Sequence, residues 1–156
     1  MAKVCTLVFL RRDDQILLAM KKRGFGEGLW NGVGGKVDAD ETIEQAMIRE
    51  CQEEISVTPT SFTKIAERDF INDAAREPWR MIVHVYFCTD WTGEPTESEE
   101  MAPKWYAVAE IPYATMWQDD QMWLPLSLQG KKVKSTFTFD EHDDILSAQI
   151  SVVPTV

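Results

Sequence analysis

The sequence holds little of what marks a secreted, zinc-binding or membrane protein. Only three of its 156 residues are cysteine (Cys5, Cys51 and Cys88), an odd number with no CxxC pair. That excludes a disulfide framework and a zinc site, and it fits a reducing, cytoplasmic setting. Histidine is rarer still: His84 and His142 are too few and too isolated for a metal cluster. Long hydrophobic runs are missing. The apolar start Val4–Leu10 stops at Arg11-Arg12-Asp13-Asp14, too short for a signal-peptide core and far too short to span a bilayer. Basic side chains are in the minority, 16 against 26 acidic ones, for a formal charge of −10. Such a chain repels phosphate backbones and anionic membranes, so neither nucleic-acid polymers nor membranes are expected partners. An anionic ligand would need a divalent cation to hold it.

What is present is a globular composition. Apolar residues make up 44% and aromatics 10%, enough to fill a core. No repeat, low-complexity tract or long linker divides the chain, so one domain over 1–156 is expected. A monomer is expected as well. Val4–Leu10 and Gln15–Met20 read as strands joined by a charged turn, and the Gly-rich stretch Lys21–Gly35 reads as loop or irregular strand. Thr42–Ile55 has no Gly or Pro, and the acids before it suit a helix N-terminus. Strands are expected at about Phe62–Ile71, Arg80–Asp90, Lys104–Val108, Val133–Phe139 and Ile145–Val152, with a second helix near Asp119–Gln129 around Pro125. The fold class is α+β, a mixed sheet with few helices.

The first helix carries charge in an unexpected place. Ile43, Met47, Cys51 and Ile55 form an i, i+4 row for the core, and Glu50 and Glu54 lie directly beside it with Glu53 next to them. Carboxylates at these spacings repel one another, and partial burial adds a desolvation cost. A merely solvated face would put them opposite the apolar row, nearer Gln52. Arg49 can pair with Glu53, and the remaining carboxylates suit a hard cation such as Mg²⁺ or Mn²⁺. Glu44 also falls near the apolar arc, which the angular reading does not explain.

From Gly35 the chain reads Gly35-x5-Glu41-x7-Arg49-Glu50-Cys51-x-Glu53-Glu54-x-Ser56-Val57. This resembles the Nudix box, GX5EX7REUXEEXGU, with six of seven fixed positions in register; Ser56 stands where the family has Gly. A glycine there ends the helix in a left-handed conformation, so the departure touches helix-end geometry and removes no chemical group. The resemblance implies a Nudix fold, an α/β/α sandwich around the mixed sheet. It also implies metal-dependent hydrolysis of a nucleoside diphosphate linked to another group. By that resemblance Glu50, Glu53 and Glu54 bind Mg²⁺ (or Mn²⁺), the Gly34 carbonyl adds a ligand, Arg49 orients the glutamates and Glu41 supports the helix. Glu54 is expected to be the general base, with Glu50 the alternative, and Glu100 to be a further loop carboxylate at the metal. The cation would neutralise the polyphosphate and lower the pKa of the attacking water.

Outside the box, Met20–Val37 and Met116–Pro125 resemble the oxidised purine nucleoside triphosphatases of animals, a group within that family. The likeness is weakest between about Phe62 and Trp79. It implies a small-molecule substrate such as 8-oxo-dGTP or 2-oxo-dATP, cleaved to the monophosphate and pyrophosphate. It further implies that Asn31, Asp119 and Asp120 read the base edge, Trp117 stacks on its face, Phe25, Thr6, Leu7 and Met81 line the pocket, and Lys21 approaches the ligand. An Asn amide offers donor and acceptor. Two adjacent carboxyls in a closed pocket can share one proton and so accept from one purine and donate to another. Taken singly, Asn31-Gly32 is an ordinary turn, Asp119 an ordinary N-cap and Trp117 an ordinary core aromatic. Two rivals remain: a Nudix hydrolase of ordinary dNTPs, dinucleoside polyphosphates or nucleotide sugars, and a non-catalytic nucleotide-binding module.

Overall fold

The computed structural model describes residues 2–156. Its strands are β1 (Lys3–Arg12), β2 (Gln15–Lys21), β3 (Trp30–Asn31), β4 (Thr58–Asn72), β5 (Trp79–Thr92), β6 (Met101–Ala107), β7 (Lys132–Phe139) and β8 (Ile145–Val153). Two α-helices, α1 (Ile43–Ile55) and α2 (Asp120–Leu128), complete it with two 3-10 turns at Val108–Glu110 and Tyr113–Thr115. The eight strands form one mixed sheet in the order β3-β2-β1-β5-β4-β7-β8, with β6 also paired to β2. β1 runs parallel to β5 and β4 to β7; the other pairings are antiparallel.

Strand alternation builds two cores, one on each face. Leu7, Phe9, Val83, Val85, Phe87, Phe70 and Phe137 meet Trp123 and Leu124 of α2. Val8, Leu10, Leu17, Tyr86 and Cys88 meet Met47, Cys51 and Ile55 of α1. The sheet therefore lies between the two helices, the expected sandwich. Among the described residues no helix is long and apolar enough to cross a membrane. The three cysteines are free and buried.

Helix α1 starts at Thr42, whose hydroxyl accepts from the Gln45 amide while the Gln45 side chain accepts from the Thr42 N–H, a reciprocal capping box. It ends at Ser56 in the left-handed region, at φ 61° and ψ 31°. Serine thus adopts the conformation a glycine would take more cheaply. β4 begins four residues earlier than the sequence pattern suggests. Register shifts around Pro59–Phe62 break the alternation by which its start could be recognised.

Candidate active site

The segment after β3 links the two faces of the sheet. Gly32 to Lys36 runs beside β1, with Val8 bridged to Val33 and the Thr6 N–H donating to the Gly35 carbonyl at 2.9 Å. This close approach needs glycine. A Cβ on Gly34 would collide with the Thr6 carbonyl, and one on Gly35 would lie 2.5 Å from Glu50 Oε1. Trp30 at the other end bridges Met116, which brings Asn31 and Trp117 to the same edge.

At the Gly35 end, α1 presents its carboxylates. Glu54 is buried, with Oε2 lacking any hydrogen-bond partner. Burial, then the charges of Glu50 and Glu100, push its carboxyl up to about 8. The Glu50 side chain is 14% exposed, whereas Glu53 is 58% exposed and sits at the rim rather than beside Glu54. Arg49 joins these groups. It donates through Nε and Nη2 to Glu41 at 3.0 and 2.6 Å, and through Nη1 to Glu50 at 3.0 Å and Glu53 at 3.3 Å. Its hydrogen bonds hold the Glu41 carboxyl down at about 2. Glu44 is exposed, near Tyr86, whose phenol is raised to about 12 by burial and then by the Glu44 carboxylate.

Across a cavity of about 290 Å³ from these glutamates lies Glu100, with Ser98, Glu99 and Arg23. Arg23 pairs with Glu100 at 3.5 Å and with Glu99 at 3.8 Å. Among the described residues, no three His, Cys, Asp or Glu are gathered tightly enough to form a finished cation site. Glu50 and Glu53 are paired with Arg49, and Glu100 with Arg23. The donor set nevertheless fits a hard divalent cation: oxygen ligands only, flanking an orphaned, buried carboxylate oxygen that no protein group satisfies.

At the other end, Trp117 packs against Phe25 with ring centroids 5.1 Å apart. No aromatic ring fits between them at that spacing, so Phe25, itself 85% exposed, covers one face of Trp117. The Asn31 Oδ1 accepts from the Gly32 N–H at 2.8 Å, which leaves its amino group free to donate. Leu7 and Met81 face this side, Met81 opposite Phe70 in the β4–β5 register. Thr6 does not join them. Alternation along β1 turns it to the α1 side, where its buried hydroxyl lacks a partner. Lys21 clamps the Gly24–Gly28 loop through its backbone, accepting from the Gly28 N–H at 2.8 Å.

Asp119 does not cap α2; its carboxylate is turned into an ion pair with Arg68 of β4. Asp120 is 1% exposed, its Oδ1 accepting from Trp123 Nε1 at 3.1 Å and lying 3.5 Å from Arg68 Nη1. Burial is the main cause that lifts its carboxyl to about 6, opposed by Arg68 and reinforced by Asp119. Arg68 escaped the sequence reading, although Ala66 and Phe70 on either side mark its position as inward-facing. A charge in that apolar alternation was the available signal.

A model of the NUDIX domain matches residues 1–126. The chain belongs to the Nudix family. Over 152 residues it is 43% identical to the oxidized purine nucleoside triphosphate hydrolase of Danio rerio, spanning 97% of this chain and 96% of that one. The mouse protein of the same name is 42% identical over the same shares. Among solved structures, a MutT protein of Bacillus halodurans superposes with a TM-score of 0.80 over 96% of this chain and 97% of that one. At 21% identity it speaks for the fold alone. α1 is thus the Nudix helix, and the Gly34–Gly35 turn is the loop that precedes it in the box.

Proposed function

We propose that this Nudix protein hydrolyses oxidised purine nucleoside triphosphates, 8-oxo-dGTP and 2-oxo-dATP among them, to the monophosphate and pyrophosphate, removing damaged nucleotides from the cytoplasmic pool. The observation that carries the reading is the single segment Asn31–Gly35. One end adjoins Trp30, which bridges Met116 just before Trp117, and the other lies against Glu50. Four residue steps of extended chain cover roughly 13 Å, a span a bound nucleotide bridges from base edge to phosphates. The relatives in zebrafish and mouse carry that activity in their names.

In this reading Glu50, Glu53, Glu54, Glu100 and the Gly34 carbonyl hold Mg²⁺, with Mn²⁺ as a substitute. The cation supplies charge neutralisation of the polyphosphate and acidification of water. Arg49 keeps Glu50 and Glu53 on one side of the helix, anchored through Glu41. Glu54, with its unpartnered Oε2 in the cavity, takes the proton from the attacking water, and Glu50 is the alternative base. Trp117 offers a stacking face once Phe25 moves aside. Asn31 donates to the base edge, and Asp119 and Asp120 complete its recognition. Leu7 and Met81 shape the pocket, Lys21 reaches the ligand from β2, and Thr6 contributes only through the β1 backbone.

The test is a panel of oxidised, methylated and ordinary nucleoside triphosphates compared by kcat/KM with Mg²⁺, scoring pyrophosphate release, with a chelator and Glu54→Gln as controls. Release from the oxidised purines, lost on chelation and cut roughly 10²–10⁴-fold by Glu54→Gln, is expected. Absence of pyrophosphate from every nucleotide refutes the enzyme reading, and preference for ordinary dNTPs refutes the substrate.

A further inference from the structure

Arg68 is the one feature of the base-reading wall that the proposed function leaves unused. It projects from β4 into the α2-facing core, 4% exposed, between the faces of Trp123 (4.6 Å), Phe70 (4.8 Å) and Phe137 (5.6 Å). A guanidinium buried among rings is costly unless it is paired, and the partners here are Asp119 and Asp120. A purely structural pairing would be expected to satisfy the atoms it buries. This one leaves two of them without a hydrogen bond, Arg68 Nε and Asp120 Oδ2. An orphaned carboxyl oxygen beside the proposed base site is what a ligand would satisfy.

Two adjacent carboxyls without a counter-ion are interchangeable, and either can hold a shared proton. A guanidinium breaks that symmetry, because it has donors only and any oxygen facing it must accept. The Asp119 oxygen is committed in this way, and Asp120 Oδ1 is committed to Trp123 and lies next to Arg68. Of the two Asp120 oxygens, Oδ2 is the one left for a proton. We propose that Arg68 is a specificity-determining positioning residue: it fixes Asp119 as an acceptor and confines donation to the purine edge to Asp120. This rests on the purine-triphosphatase reading above. The groups facing Asp120 are Arg68 from β4, Asp119 at the start of its own helix, the Trp123 N–H from α2, the Trp117 backbone N–H just before the helix, and the Tyr113 hydroxyl from the preceding 3-10 turn.

The experiment uses the full chain with Mg²⁺ and measures kcat/KM for 8-oxo-dGTP and 2-oxo-dATP across about pH 5.5 to 9. In the parent the two profiles differ, because the substrate that needs a donated hydrogen bond loses rate as Asp120 ionises while the other does not. In Arg68→Met either carboxyl can keep the proton. The ratio of the two kcat/KM values then shifts about tenfold towards the donor-requiring substrate, and its alkaline limb moves to higher pH. Arg68→Lys keeps a point charge without the fork and moves both readouts in the same direction by about threefold, so it decides the matter if Arg68→Met does not fold. Parallel losses for both substrates, with ratio and limb unchanged whatever the melting temperature does, overturn the inference and leave Arg68 a structural residue. A parent enzyme that hydrolyses neither nucleotide removes the functional reading itself, and the inference falls with it.

Discussion

Gly34 and Gly35 are neighbours in the Nudix turn, yet replacing each with alanine should fail in different ways. Neither has a positive φ, so the cost is steric. A Cβ on Gly34 meets main chain: the Thr6 carbonyl and its carbon, with Leu7 Cα at 2.9 Å. β1 would have to move, and overpacking of that kind costs about 1–3 kcal/mol or more. For a chain of this size that is a melting temperature lower by roughly 3–10 °C. A Cβ on Gly35 instead meets the end of a side chain, Glu50 Oε1 at 2.5 Å and Cδ at 2.6 Å. Glu50 can swing away by giving up its 3.0 Å bond from Arg49, which still holds Glu41. Stability should change by no more than about 1 kcal/mol. Activity should not survive so well, because a misplacement of about 1 Å in a reacting constellation costs on the order of 10²-fold. Thermal unfolding and pyrophosphate release, measured on both variants at saturating Mg²⁺, separate the two effects. Gly35→Ala melting as low as Gly34→Ala, or retaining full kcat/KM, would show that the turn does not set the position of Glu50.

Other outcomes follow from single features. Ser56→Gly should raise stability by about 1 kcal/mol and leave kcat/KM unchanged, since it relieves a left-handed serine at an exposed helix end; denaturant titration checks this. Asp120→Asn should flatten the pH dependence of stability between about pH 4 and 6. The native carboxyl lies near 6 against an ordinary 3.8, so the native state binds the proton more tightly, and stability falls as pH rises through that window. The variant should recover on the order of 2–3 kcal/mol at neutral pH, an upper bound, and equal slopes for parent and variant in melts across the window would refute it. Phe25→Ala uncovers Trp117, so nucleotide binding should quench tryptophan fluorescence with a changed association rate while the melting temperature stays within about 2 °C.

The sandwich was legible because its signals were local. The apolar row of α1, the Thr42 start and the Glu50–Glu53–Glu54 cluster all lie within one helix, where a period of 3.6 fixes who faces whom. Legibility failed where geometry depended on distant chain. The bulges of β4 hid its first four residues, and β1 alternation separated Thr6 from Leu7, two residues that sequence order alone keeps together. Glu53 sits further out than its helical angle suggests, at the rim and paired with Arg49.

Arg68 is the sharpest case, since its partner Asp119 lies 51 residues away on another element. The formal charge of −10 hides the pattern to which it belongs. Three arginines each tie up carboxylates at a proposed ligand position: Arg49 with Glu41, Glu50 and Glu53, Arg23 with Glu99 and Glu100, and Arg68 with Asp119 and Asp120. In the first two sets Glu50, Glu53, Glu99 and Glu100 line the cavity, so a bound cation can compete for them while Arg49 stays on Glu41. Arg68 is instead enclosed by three aromatic rings. Its charge stays with the two aspartates whether or not a ligand is bound. The carboxylates at the phosphate end can therefore be rearranged by what binds there, whereas those at the base end hold a fixed polarity that the purine must match.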